Sequence, residues 1–190
     1  MRVSKEKAAE NRERILTEAA RLFRERGLGG VGVDALADAA GLTHGGLYSQ
    51  FGSKERLAAE ALAHALAASA ARSDKAKNLP DFVDRYLSTA HRDAPGGGCV
   101  LAALGCEVAR HAGAVRTSFT EGVRRMARRI GALLPANGHR DPEAEALATA
   151  ATLVGALVLA RAVNDPELSD QILTAARGRI SPGIAIQDAV

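Results

Sequence analysis

Apolar residues recur at helical spacing near the N-terminus. Ile15, Ala19, Leu22 and Phe23 follow the i, i+4, i+7, i+8 pattern that places side chains on one face of an α-helix. Charged residues make up most of the remaining positions between residues 4 and 26. The pattern predicts one amphipathic helix over residues 4–26, and Gly27 is a natural end for it because glycine readily adopts the conformation that follows a helix.

Two shorter apolar patterns follow, separated by a glycine. Residues 33–40 and about 44–50 predict two short helices, with a tight turn at Gly41 between them. A short helix, a glycine turn and a second short helix form the helix-turn-helix pattern. The apolar positions by which this pair must rest on the first helix are Leu36, Leu42, Leu47 and Phe51.

The remainder of the chain predicts longer helices. One begins at Gly52-Ser53 and runs to about residue 76. Two later starts repeat one device, an Asp N-cap followed by Pro and Glu, at Asp141 and Asp165. The later helices are predicted over 81–91, from near Cys99, and over 115–134, 142–163 and about 168–179.

No segment alternates between apolar and polar residues as a strand does. The predicted fold class is therefore all-α, with about nine helices. We expect an N-terminal three-helix domain over residues 1–52 and a C-terminal helical domain over residues 53–190, whose residues 181–190 form a tail beyond the last helix.

Composition narrows the class of protein. Hydrophobic residues make up 47% of the chain and aromatic residues only 3%, so Ala and Leu must supply a packed core. The formal charge of +3 is mildly basic and does not by itself indicate a nucleic-acid partner. The charged N-terminal stretch has no apolar segment of the signal-peptide kind, so we expect a cytoplasmic protein with reduced thiols. The apolar run from 146 to 160 is about 15 residues long, short of the length that spans a bilayer.

The second short helix carries two adjacent glycines, each of which costs a helix about 1 kcal/mol relative to alanine. Bare glycines would let a recognition helix press its N-terminal residues into a DNA major groove, and a nearby tyrosine and lysine could contact phosphates. The alternative is a surface loop at Gly45-Gly46 beside ordinary core residues. The candidate DNA contacts are Val33, Thr43, His44, Gly45, Gly46, Tyr48, Ser49 and Lys54.

The stretch VDALADAAGLTHGGLYSQFGSKERL resembles the N-terminal domain of the TetR family of transcriptional regulators, and ILTEAARLFRERG is similar to that family's first helix. The resemblance implies a DNA-binding domain, a C-terminal ligand-binding and dimerisation domain, and no enzymatic activity. The chain departs from the family pattern at Gly32, Gly46 and Gln50, so the operator sequence cannot be inferred from these residues.

Basic residues at the N-terminus alternate with glutamates, which predicts either further phosphate contacts or a solvated helix face. The basic residues are Arg2, Lys5, Lys7, Arg12 and Arg14.

The segment ALATAATLVGALVLARAV is apolar nearly all round, which indicates burial on every side. The family resemblance implies that the last two helices of each subunit form a four-helix homodimer interface; the alternative is that these residues are core within one chain. The candidate interface residues are Leu147, Leu153, Val154, Leu157, Val158, Arg161, Ile172 and Ala176.

Two cysteines are candidate sensors. Cys99 follows three glycines at a predicted helix start, where the helix dipole favours a reactive thiolate. The stretch GGCVLAALGCEVARHAGAVRTSFTEGVRRM resembles a branch of the family whose members carry a Gly-Cys at this position and respond to electrophiles or oxidants. Cys99 and Cys106 would be about 10 Å apart along a helix, which is too far for a disulfide without unwinding. Either cysteine could instead be a small core residue.

The bulkiest central residues are candidates to line an inducer pocket, although core packing remains open for each. They are Phe82, Tyr86, Phe119 and Met126. The histidines His64, His91, His111 and His139 lack metal-ligand spacing, so we expect no metal and no cofactor.

The pattern as a whole favours a ligand- or redox-responsive regulator, most often a repressor in this family, that binds an inverted-repeat operator in double-stranded DNA as a homodimer and is released by a small-molecule or electrophilic inducer. Two alternatives stay open from the sequence: a helical thiol enzyme using Cys99, and an interaction module that no longer binds DNA. The inducer, the regulated genes and the direction of regulation are not determined by the sequence.

Overall fold

The computed structural model describes residues 5–73, 75–111, 113–135 and 140–180. Arg2, His139 and the predicted tail 181–190 lie outside these ranges. Within them every regular element is helical, ten α-helices and one 3₁₀ turn, and no strand occurs. The predicted all-α class is confirmed.

The number of helices exceeds the predicted nine because the helix expected over 81–91 is two helices. The chain forms Leu79–Tyr86 (α5) and Thr89–Asp93 (α6) with a break between them. The Ser88 hydroxyl accepts a hydrogen bond from the backbone N–H of His91 at 3.1 Å, so it caps a new helix where the sequence pattern suggested continuity.

The first four helices are Lys5–Arg26 (α1), Val33–Ala39 (α2), His44–Phe51 (α3) and Lys54–Ser73 (α4). Gly27 and Gly41 follow α1 and α2 with φ of +78° and +64°, a conformation that costs other residues about 1 kcal/mol or more. Thr43 caps α3 by accepting from the N–H of Gly46 at 3.2 Å. The predicted breaks at these glycines are therefore confirmed.

The later helices are Val100–Val108 (α7), Gly113–Gly131 (α8), Pro142–Ala162 (α9) and Pro166–Ile180 (α10), with the 3₁₀ turn at Pro95–Gly97. Asp141 accepts from the N–H of Ala144 at 3.0 Å, and Asp165 accepts from the N–H of Leu168 at 3.1 Å. Both predicted Asp-Pro helix starts are confirmed.

Backbone contacts divide the described residues into two compact units. The first comprises residues 5–68, 95–111 and 113–122, and the second comprises residues 69–73, 75–94, 123–135 and 140–180. This grouping follows contacts between helices, whereas the boundary predicted at residues 52/53 separates functions. That boundary stays a prediction.

The core of the first unit joins the helix-turn-helix pair to α1, α4 and α7. Leu36, Leu47 and Phe51 are all no more than 2% exposed, as expected for the face that rests on α1. Burying one such side chain contributes roughly 1.5–3 kcal/mol. The other large members of this core are Ile15, Leu22, Phe23, Leu57, Leu62 and Leu104.

The core of the second unit is built around α9. Its buried side includes Ala146, Ala150, Leu153, Ala156 and Ala160, which pack with residues of α5, α8 and α10. Among the described residues, α9 alone is long and apolar enough to cross a membrane by those two criteria. One helix of this kind is weak evidence for a membrane span, since buried core helices meet the same criteria.

Two contacts in the first unit fix the end of α1 to the segment around α7. The carboxylate of Glu107 accepts hydrogen bonds from the backbone N–H groups of Leu28 and Gly29, at 2.8 and 3.2 Å. The guanidinium of Arg24 donates from Nε to the carbonyl oxygen of Gly96 at 2.7 Å. The loop that leads from α1 into α2 is thus held by side chains and backbone groups from residues 96–107.

We predict that Glu107→Ala lowers the free energy of unfolding by about 1–3 kcal/mol, because two backbone N–H groups lose a charged acceptor. Urea denaturation followed by circular dichroism measures the change. Glu13→Ala removes an exposed carboxylate from α1 and serves as the matched control, with an expected change under about 0.5 kcal/mol. Equal stability of the two variants would contradict the role assigned to Glu107.

Candidate nucleic-acid interface

The α3 helix separates its apolar and polar residues by side. Leu47 and Phe51 are buried at 2% and 1% exposure, whereas Tyr48 is 41% exposed. The other exposed residues at this helix are Thr43, His44, Gly45, Ser49 and Gln50. The predicted DNA-contact residues of α3 therefore share one accessible face, except for the half-buried Gly46.

Two side chains of this face contact each other and a residue of α2. The rings of His44 and Tyr48 stack with centroids 5.1 Å apart. Nδ1 of His44 lies 2.7 Å from a carboxylate oxygen of Asp34. Asp34 was absent from the predicted site because the sequence pattern gave no reason to place it near the first residue of α3.

The two glycines of α3 differ in their surroundings. A Cβ added to Gly45 would meet no atom within 4 Å, whereas one added to Gly46 would lie 3.3 Å from the Thr43 hydroxyl. The folded chain therefore does not require glycine at position 45. Close approach of α3 to a binding partner remains as a reason for glycine at this position.

Two candidates outside α3 are more enclosed. Val33 is half-buried and packs against the first core, so its side chain has a structural role whether or not its backbone reaches DNA. Lys54 is half-buried at the first position of α4, three residues after the end of α3.

Arg12 of α1 takes part in contacts that the sequence did not predict. Its guanidinium lies 4.4 Å from the centroid of the Phe51 ring and pairs with Glu60 of α4. It also donates to the carbonyl oxygen of Gln50 at 3.3 Å. Arg12 therefore holds the C-terminal end of α3, which explains its position without a phosphate.

A two-helix motif with this exposed polar face defines a helix-turn-helix DNA-binding protein. Comparison with protein families agrees: residues 15–61 match the model described as bacterial regulatory proteins, tetR family, and residues 76–176 match that of the tetracyclin repressor-like C-terminal domain. The chain belongs to the TetR family of transcriptional regulators, whose members are generally not enzymes.

Solved structures share the fold. A crystal structure of E. coli NemR in its reduced form has a TM-score of 0.76 at 24% identity, covering 95% of this chain and 100% of that one. A TetR-family regulator from Cytophaga hutchinsonii has a TM-score of 0.74 at 22% identity, with 99% and 100% covered. One from Chloroflexus aurantiacus has a TM-score of 0.76 at 25% identity, with 92% and 96% covered. A search of curated proteins gives no significant sequence match.

The two cysteines lie in different surroundings. Cys99 is buried and precedes α7 as its N-cap, with φ −73° and ψ 124°, whereas Cys106 is exposed within α7. Neither cysteine is part of a disulfide. The predicted helix start near Cys99 is confirmed. Cys99 itself precedes the helix, so the estimate of the distance between the two cysteines from the helical rise applies only to the part of that distance that lies within α7.

The candidate pocket residues are distributed over both units. Phe82 and Tyr86 stack with ring centroids 6.1 Å apart, and Tyr86 and Met126 pack against the core of the second unit. Phe119 packs against the core of the first unit. The structure thus brings the candidates of the second unit into one cluster and leaves Phe119 and the cysteines in the other unit.

His91 joins the aromatic cluster of the second unit. Its ring packs edge-on against Tyr86 with centroids 4.8 Å apart, and Nδ1 lies 2.6 Å from the Tyr86 carbonyl oxygen. Burial lowers the pKa of His91, and the contact with the Tyr86 carbonyl opposes that effect only in part. No group of three potential metal-ligating side chains occurs among the described residues.

Arg161, a candidate interface residue, makes contacts within its own chain. Its guanidinium donates to the carbonyl oxygens of His91 and Arg92, at 2.6 and 2.9 Å. It therefore satisfies carbonyl groups at the end of α6, as basic residues commonly do at helix C-termini.

We predict that Gly45→Ala stabilises the protein by about 0.5–1 kcal/mol, because alanine favours the helix and has free space at this position. We expect the same change to weaken operator binding at least about tenfold, because the added methyl group would separate α3 from the groove. Thermal unfolding and fluorescence anisotropy with selected DNA measure the two effects.

Gly178→Ala is the matched control, since position 178 is helical and a Cβ there also meets nothing within 4 Å. It should stabilise the protein without changing DNA affinity. Unchanged DNA affinity of the Gly45→Ala variant would contradict the close approach of α3.

Proposed function

We propose that the protein is a homodimeric transcriptional repressor of the cytoplasm that binds an inverted-repeat operator and releases it when a small molecule or an electrophile acts on the C-terminal region. The observation that carries this proposal is the exposed face of α3, which presents polar groups and Gly45 beside a buried apolar face. Membership of the TetR family supports operator binding, dimerisation and release by an inducer, because TetR-family regulators work in this way.

The DNA contacts divide by chemistry. Thr43, His44 and Ser49 carry polar groups suited to base edges, which specify sequence. The Tyr48 hydroxyl and the Lys54 ammonium suit phosphates, which fix orientation. Gly45 and Gly46 let the backbone approach closely.

A second copy of the chain is the proposed partner of the outer face of α9. Leu153 and Leu157 are fully buried within the chain, but Leu147 and Leu159 on the other side are 46% and 57% exposed. Val154 and Val158 are half-buried on that same outer side. An exposed apolar stripe of this kind favours association.

The α10 helix extends the proposed interface. Leu168 is 42% exposed, and Ile172 lies one turn further along and is half-buried against the core of the second unit, as is Ala176. Leu159 and Leu168 were not among the candidates from sequence, because an apolar segment does not indicate which of its sides is covered within one chain.

We predict that Leu159→Glu converts the dimer to a monomer and weakens binding to an inverted-repeat operator, because it places a charge in an apolar interface. Light scattering after gel filtration and anisotropy titrations measure both effects.

Binding of the operator by the unsubstituted protein should fall at least about a hundredfold between roughly 50 and 200 mM salt, as phosphate contacts require.

Ala109→Glu introduces the same charge at an exposed position of the first unit and should leave the dimer intact. If the Leu159→Glu variant remains dimeric, α9 is not part of the dimer interface. Binding that is insensitive to salt, or absent for all genomic fragments, would argue against the proposed function itself.

Two routes for the inducer follow from the candidate sensor residues. Phe82, Tyr86 and Met126 are proposed to line a ligand pocket in the second unit. For an electrophile, the exposed thiol of Cys106 is the more accessible target than the buried thiol of Cys99. Cys106 adjoins Glu107, which holds the loop after α1, so an adduct there would bias the position of the reading helices.

We predict that a quinone modifies Cys106 before Cys99 and releases the operator. Peptide mass spectrometry measures the order of modification, and anisotropy measures release. Cys106→Ser should abolish release by the quinone while sparing DNA binding, and Cys99→Ser should leave it intact. If the quinone still releases the operator from the Cys106→Ser variant, a residue other than Cys106 senses the quinone.

A further inference from the structure

We propose that Asp34 determines operator specificity by holding the imidazole of His44 so that its Nε2 edge faces the base pairs. This inference rests on the proposed function, because it requires α3 to enter the major groove. Asp34 would be a positioning residue that acts through His44 and need not touch a base itself.

The geometry holds the His44 ring on two sides. At one edge, Nδ1 lies 2.7 Å from Oδ1 of Asp34. On one face, the Tyr48 ring stacks with its centroid 5.1 Å away and an interplanar angle of 30°. A side chain held by both an edge and a face loses much of its rotational freedom, which is the condition for reading a base by one hydrogen bond.

The carboxylate also selects the form of the ring. An ionised carboxylate only accepts hydrogen bonds, so Nδ1 of His44 must carry the hydrogen. In the neutral imidazole this leaves Nε2, on the opposite edge, as an acceptor. The major-groove groups that donate to an acceptor are the amino groups of adenine and cytosine.

The contact between Asp34 and His44 contributes little to folding stability, so its role in DNA recognition can be tested separately from any role in stability. The side chains of Asp34 and His44 are 87% and 56% exposed, and at such exposure even an ion pair contributes little to folding. A carboxylate at this position also repels the phosphates of a bound duplex. Its benefit would therefore lie in discrimination between DNA sequences at a cost in general affinity.

The experiment selects bound sequences from a random DNA pool with full-length protein and then measures affinity for the selected operator and for its single-base variants. Five variants are compared: Asp34→Ala, Asp34→Asn, His44→Ala, the double variant Asp34→Ala/His44→Ala, and Asp38→Ala. The asparagine variant keeps an oxygen that can accept from Nδ1 but removes the charge. Asp38 is an exposed acid of the same helix that lies one turn further on, so it is the matched control.

The unsubstituted protein should prefer adenine or cytosine at one position of each half-site by about tenfold or more. His44→Ala and Asp34→Ala should both lose this preference, and their combination should lose no more than either alone. Asp34→Asn and Asp38→Ala should retain it. Because Asp34→Ala, Asp34→Asn and Asp38→Ala each remove one negative charge, all three should bind sequences without the preferred base somewhat more tightly.

Full preference in the Asp34→Ala variant would overturn the positioning role, and full preference in the His44→Ala variant would overturn base reading by His44. A preference for guanine at that position would overturn the acceptor assignment of Nε2. If the unsubstituted protein binds no DNA, the proposed function fails together with this inference. If the unsubstituted protein binds DNA and the Asp34→Ala variant keeps the same base preference, only this inference is overturned.

Discussion

The burial of the apolar side of α3 is the constraint on which the candidate site depends. Leu47 and Phe51 enter the core formed with α1 and α4 and are almost completely removed from water. Because an isolated helix of eight residues is marginally stable in water, this packing keeps α3 folded, fixes its rotation and turns its polar side outward. Arg12 adds to the constraint by covering the Phe51 ring and binding a carbonyl at the end of α3.

A second constraint connects the reading helices to the region that carries the cysteines. Glu107 and Arg24 make hydrogen bonds between residues 96–107 and the end of α1, all within one compact unit. The contacts involve backbone groups of the loop that leads into α2, so α7 and the helix-turn-helix pair are joined through this loop. This proximity gives the proposed response to an electrophile a physical route that needs no long chain of intermediates.

Much of the fold could be predicted because local rules specify it. Gly41, Thr43 and the Asp-Pro starts determine where helices end and begin through backbone conformation and capping, and these effects act over four residues or fewer. The break between α5 and α6 was missed because Leu87-Ser88 contains neither glycine nor proline to mark a helix end. Only the side-chain cap on His91 shows where the second helix starts.

The sequence by itself determined the helical class, the helix-turn-helix pair and the family, since each follows from periodicity or from residues adjacent along the chain. Tertiary structure alone decided which side of α9 is covered, which cysteine is exposed, and that Asp34 meets His44. Each of these depends on the rotation and spacing of helices that are distant in the sequence. Such rotations are set by the summed packing of the core, and a linear pattern of residue types does not record them.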